Sequence, residues 1–189
     1  MEYTFHAAYN SVFLRPLMEQ DTESLRRWRN ESSLNRYLTA VGEISAEEQI
    51  AWYKGMLADK DQVFIAIATA ECEMVGALAL YGFDGNGCQI GKILIGETSV
   101  RGKGVGRLSF LMAMAVGSRY LGRECFFLSV HPDNGPARAL YQKIGFQDTG
   151  THPFGDGFEY EMEIDRDTLG ERNPEMNEII VSDSPIRRI

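Results

Sequence analysis

Residues Arg101, Gly102, Lys103, Gly104, Val105, Gly106 and Arg107 interleave glycines with cations in one short stretch, a composition suited to holding a phosphate. Glycines let backbone approach a ligand with no Cβ in the way, and the bases add charge around the same turn. Upstream, residues 90–95 read as a buried strand; downstream, Val105, Leu108, Leu111, Met112, Ala115 and Val116 recur at helical spacing. The turn therefore falls where a helix begins, and there free N–H groups and the positive end of the helix dipole point outward together. A pyrophosphate is the expected ligand. An ordinary surface loop can have this composition, so a second feature must decide.

That feature is the stretch Asn134-Gly135-Pro136-Ala137-Arg138-Ala139-Leu140-Tyr141-Gln142-Lys143-Ile144-Gly145-Phe146, directly after the apolar residues 125–130. Both segments lead from a strand into a helix. With R-x-x-G-x-G first and N-x-x-A-x-x-L-Y-x-x-x-G-F second, the chain resembles the GNAT superfamily of acyl-CoA-dependent N-acetyltransferases over residues 12–164. The resemblance implies that acetyl-CoA lays its pyrophosphate on Arg101, Gly102, Lys103, Gly104, Val105 and Gly106. It places the pantetheine along the backbone of Ile93, Leu94 and Ile95, where parting strands leave groups unpaired. Asn134, a helix N-cap by position, becomes a cofactor contact as well, and the Tyr141 hydroxyl comes to lie near the CoA sulfur. A phenol beside a thiol can hydrogen-bond the departing thiolate at little cost.

An alkylammonium cannot attack a thioester until it loses a proton, so something must accept that proton. Glu97 is the expected base, acting through a water, because it follows the strand that carries the acetyl group. His131 is the other candidate, although Pro132 and Asp133 after it suggest a plain turn. The acceptor is expected to be gripped by the N-terminal helices and by the turn at 154–158: Trp28, Arg29, Asn30 and Phe154 are the named contacts, with Tyr37 and Leu38, Glu48 and Gln49, and Trp52 and Tyr53 nearby. These helices look like those of two branches, one acetylating amino-sugar nucleotides and the other ribosomal-protein N-termini or polyamines. The two tryptophans suit helix packing equally well.

The elements that must position these groups follow from pattern. Residues 12–17 read as a strand, Asp21 as the cap of a helix running to Trp28 or Arg29, and residues 33–38 as a helical stretch. Ser45-Ala46-Glu47-Glu48 is a capping box for a helix to about Ala58. Residues 62–69 and 74–81 suggest an antiparallel hairpin, and Asp84-Gly85-Asn86-Gly87 turns into the strand before the Gly-rich loop. Residues 154–158 form a turn before a closing strand at 159–164. The order β, helices, β, β, β, α, β, α, β, β is α+β: a mixed, mostly antiparallel central sheet with helices on both faces, as in the GNAT fold. One domain spans 1–164; residues 165–189 read as a C-terminal tail whose apolar run 178–181 can dock on the body or on a second copy of the chain, making a homodimer.

At 189 residues the chain can bury one sizeable core. A net charge of −8 argues against broad nucleic-acid binding and suits a cationic amine acceptor. Cys72, Cys88 and Cys125 lack C-x-x-C spacing and form no ligand set with His6, His131 and His152, so no metal is expected. The N-terminus lacks a signal-peptide pattern and residues 110–117 are too short to span a membrane, so a cytoplasmic protein is expected. The reading is an N-acetyltransferase that passes acetyl directly from acetyl-CoA to a primary amine of a small molecule or a protein N-terminus. The competing class is an inactive acyl-CoA-binding sensor or partner module, which would keep the loop without a base. A Walker-type nucleotide site is disfavoured because Gly104 follows Lys103.

Overall fold

A computed structural model describes residues 3–34 and 42–183. Its framework is one nine-stranded sheet, in the order β7-β8-β6-β5-β4-β3-β2-β1-β9. The elements are β1 (His6–Tyr9), β2 (Val12–Pro16), α1 (Thr22–Asn30), α2 (Ala46–Ala58), β3 (Gln62–Thr69), β4 (Gly76–Asp84), β5 (Gly87–Ile95), α3 (Val105–Arg119), β6 (Cys125–Val130), α4 (Gly135–Ile144), β7 (Gln147–Phe154), β8 (Gly157–Asp165), α5 (Arg166–Arg172) and β9 (Ile180–Ser182). All neighbours run antiparallel except β5 and β6. The mixed, mostly antiparallel α+β sheet is therefore present.

The helices divide between two cores. On one face α1 and α2 bring Leu25, Trp28, Tyr53 and Met56 against Ala66, Ala77 and Leu94. On the other, α3 and α4 pack with Leu14, Ile67, Leu80 and Phe126. The Ser45 capping box is formed as the sequence suggests: Ser45 Oγ accepts from Glu48 N at 3.2 Å and Ser45 N donates to Glu48 Oε2 at 2.8 Å.

Three features differ from the sequence reading. Asp21 does not cap α1 with its side chain. Its carboxylate takes a buried two-pronged pair from Arg15, at 2.6 and 2.8 Å, and a bond from Met18 N at 2.8 Å. Helix α3 is not simply amphipathic: every residue from Phe110 through Val116 is fully buried. A helix apolar all round needs cover on its far side, and the last segment supplies it. Leu169, Met176 and Ile179 join the same core, and Arg119 bonds the carbonyls of Met176 and Ile179. Finally, β9 pairs with β1 through Ala7↔Val181, so residues beyond 165 extend the sheet. Of the helical stretch expected at 33–38, Ser33 and Leu34 form a turn; the remainder, with Tyr37 and Leu38, lies outside the described residues.

Candidate active site

Strands β5 and β6 pair only through Gly87↔Cys125, Cys88↔Phe126 and Gln89↔Phe127. Beyond Gln89 they part, β5 staying with β4 to Ile95 while β6 stays with β8 to Val130. The β6-facing edge of residues 90–95 is thus left without a strand partner among the described residues. Backbone polar groups on such an edge require a partner from elsewhere. A bulge sharpens the divergence: Ala79 faces Gly91 and Ala77 faces Leu94, so Leu78 opposes both Lys92 and Ile93. Lys92 sits at φ 54°, in the left-handed region that a lysine rarely occupies.

A cleft of about 730 Å³ fills the wedge. Gly91, Lys92, Ile93 and Leu94 form its β5 wall, and Asn134 and Tyr141 approach from α4. Tyr141 is 7% exposed, its ring stacked on Phe110 with centroids 5.0 Å apart. Burial, with a smaller contribution from Tyr81, pushes its hydroxyl up to about 12. The phenol therefore keeps its proton at any physiological pH and can only donate to an anion beside it.

The Gly-rich turn lies at the end of β5. Gly102 and Gly104 take φ 74° and 80°, conformations that admit other residues only with strain. Gly104 is the N-cap of α3 and offers no side chain to it, leaving the amides of Val105, Gly106 and Arg107 without a side-chain cap. Gly106 faces the strand end: a Cβ there would meet Ile95 Cγ1 at 3.7 Å. The three bases are not equivalent. Arg101 folds back to donate to the carbonyls of Ile95 (3.2 Å) and Gly96 (2.8 Å). Arg107 pairs with Glu175 at 2.6 Å and Asn173 Oδ1 at 3.1 Å. Lys103 is exposed and forms no ion pair among the described residues.

The opposite wall comes from the β7–β8 hairpin, where period-2 alternation points His152, Phe154, Glu159 and Glu161 into the cleft. His152 lies between the carboxylates, 3.7 Å from Glu159 and 3.4 Å from Glu161. Burial, then the nearby Glu159 charge, raises the Tyr81 phenol, which also lines the cleft. The sequence pattern points to neither the hairpin pair nor Tyr81, because alternating polar residues in an exposed strand resemble any solvated face.

Among the sequence-named residues, the cleft brings together Ile93, Leu94, Asn134, Tyr141, Arg29, Trp52, Phe154 and His131. Ile95 abuts the Gly-rich turn instead. Glu97 is partly exposed beyond the strand, its amide bonded to Val75 O at 3.1 Å, and does not line the cleft. Trp28 is buried against Gly96, where any added Cβ would overlap the indole, so it fixes the end of β5. Asn30 braces the chain at Ile44 through two bonds of 2.9 Å.

Residues 11–147 match the family described as acetyltransferase (GNAT) domain. The chain belongs to the GNAT family. Human alpha/beta-tubulin-N-acetyltransferase 9 is 30% identical over 154 residues, covering 74% of each chain. A GNAT structure, spermidine N-acetyltransferase from Vibrio cholerae in complex with CoA and spermine, superposes with a TM-score of 0.75 at 20% identity, over 84% of this chain and 98% of that one. An aminoglycoside acetyltransferase bound to coenzyme A gives 0.74 at 22% identity, over 87% and 99%. The latter two likenesses establish the GNAT fold. No described helix is long and apolar enough to cross a membrane.

Proposed function

We propose that the protein is an N-acetyltransferase that passes acetyl directly from acetyl-CoA to a primary amine of a small molecule or a protein N-terminus. The observation that carries this reading is the unpartnered edge of β5, flanked by the uncapped start of α3 and by Tyr141. The pyrophosphate sits on the amides of Val105, Gly106 and Arg107 with Lys103 beside it. Arg101 and Arg107 act as braces of the loop. The pantetheine amides pair with the free edge as a strand would. Because the amides of Gly96 and Glu97 already donate to Val75 O, the donors that polarise the thioester carbonyl come from those amides of residues 93–95 that point away from β4.

The amine enters between α1–α2 and the β7–β8 hairpin, where Glu159 and Glu161 favour a cation. It attacks the carbonyl, the C–S bond breaks, and Tyr141 donates a hydrogen bond to the departing thiolate. Glu97 can take the amine proton only through intervening water, whereas Glu159 faces the cleft directly. The hairpin, Arg29 and Phe154 line the acceptor entrance. The name of the human relative adds tubulin peptides to the acceptors worth offering.

The test is acetyl-CoA calorimetry followed by thiol release with spermidine, an aminoglycoside, an amino-sugar nucleotide and peptides with free N-termini. Binding with acceptor-dependent thiol release is the expected result. Binding without release from any amine would leave the acyl-CoA-binding sensor or partner module. Absence of binding would overturn the reading entirely.

A further inference from the structure

We propose that Lys92 is a self-acetylation site, accepting an acetyl group within its own chain from acetyl-CoA bound along β5. This inference rests on the acetyl-CoA site described above. The sequence has five lysines, Lys54, Lys60, Lys92, Lys103 and Lys143, and among the described residues Lys92 alone lines the cleft. It occupies the bulge immediately before Ile93, on the strand that holds the thioester. A nucleophile and a thioester fixed on neighbouring residues of one strand gain the rate advantage of an intramolecular encounter.

The surroundings of the amine leave it available. Its Nζ lies 4.2 Å from the Tyr81 ring centroid and 5.1 Å from that of Phe64, and it donates to Gln62 Oε1 at 3.3 Å. Trp52 packs edge-on against Phe64 with centroids 4.9 Å apart, extending the aromatic wall. Among the described residues Lys92 makes no ion pair with a carboxylate, so no salt bridge has to break before it reacts. Desolvation lowers its pKa, Arg29 on α1 lowers it further, and Asp59 at the end of α2 opposes them. The result is a larger neutral fraction than an ordinary surface lysine carries. The left-handed backbone at Lys92 shows that surrounding contacts hold this residue where it would not settle unaided.

The step balances without another reactant. Neutral Nζ attacks the thioester carbonyl, the N–C bond forms and the C–S bond breaks. The proton lost by nitrogen ends on sulfur, giving an Nε-acetyl-lysine and free CoA thiol. The product no longer carries a cation over Tyr81 and Phe64.

The purified protein is incubated with carbon-13-labelled acetyl-CoA, sampled over time, digested and mapped by mass spectrometry. Label is expected at Lys92 at least about tenfold faster than at Lys54, Lys60 or Lys143, at a rate independent of protein concentration and rising with pH. Gly104→Asp should slow labelling of Lys92 and leave Lys54, Lys60 and Lys143 unchanged. Lys92→Arg should abolish the site; if that variant does not fold, the wild-type rates decide alone. Equal labelling of all exposed lysines, or undiminished labelling of Lys92 in Gly104→Asp, would overturn the inference. Thiol release with an added amine but no label at Lys92 overturns self-acetylation only. Failure to bind acetyl-CoA overturns the proposed function with it.

Discussion

Two helices start from strand ends beside the cleft, and they treat their first amides in opposite ways. At α4 the Asn134 side chain accepts from Ala137 N at 3.4 Å and Pro136 contributes no N–H, so the first turn is largely closed on itself. At α3 the capping position is Gly104, which has no side chain to offer, at a φ of 80°. The proposed anion site is thus the helix start that carries no side-chain cap, and the closed start positions a side chain, Tyr141, on the helix behind it.

Gly104→Asp attacks the open start and should have the largest effect, weakening acetyl-CoA binding by about a hundredfold or more through like charge and backbone strain. Calorimetry measures it, and Gly104→Ala separates the terms, since alanine brings the strain without the charge. Unchanged affinity in both would remove α3 from the site.

Tyr141→Phe probes what the closed start positions. The ring stack on Phe110 survives, so acetyl-CoA affinity should hold while kcat falls about a hundredfold. With the phenol pushed up to about 12, wild-type activity should show no alkaline loss assignable to Tyr141 up to about pH 11. Equal kcat in the two proteins would return Tyr141 to the core.

The proton acceptor comes next. Glu159→Gln should lower kcat/KM for an amine by about tenfold at neutral pH, with recovery as alkaline solvent deprotonates more of the amine. Glu97→Gln should do less, because its carboxylate does not face the cleft. The reverse order, read from the two pH–rate profiles, would restore Glu97 as base.

Asn134→Ala should be smallest. Losing a side-chain cap costs about 1 kcal/mol, which thermal melting would register as a Tm drop of about 2–4 °C for a chain of this size. If acetyl-CoA affinity fell far more than stability, Asn134 would be a direct cofactor contact as well as a cap.

What could be read from the sequence follows the same division. The Gly-rich turn, the Asn134 cap and the inward-facing Tyr141 ring can be read because turn chemistry and helical period are local properties, whereas the site roles expected of Asn134 and Tyr141 come from the family resemblance. The parting of β5 and β6 is a pairing property and leaves no mark on either strand alone. The bulge is marked in the sequence only by Gly91, and its positive φ falls on the next residue, Lys92, whose side chain gives no sign of it. Arg101 and Arg107 show that cationic composition around a loop does not say where the cations point: one braces a strand end and the other clasps Asn173 and Glu175. Strand β1 is short and half alanine, and β9 has three residues, too few to display alternation. Trp28 illustrates a pairing that sequence hides completely, because its partner is the missing side chain of Gly96.

The β1–β9 pairing carries a topological consequence. His6 and Ser182 are partners across adjacent strands, so these two residues, each close to an end of the described chain, lie about one strand spacing, roughly 5 Å, apart. Between these two residues the described chain nearly closes on itself. A short flexible linker joining residue 183 to residue 3 should permit circular permutation, with new termini opened at the Gly85–Asn86 turn between β4 and β5. Sequence order along the chain would change, while the neighbours of every strand in the sheet would stay the same.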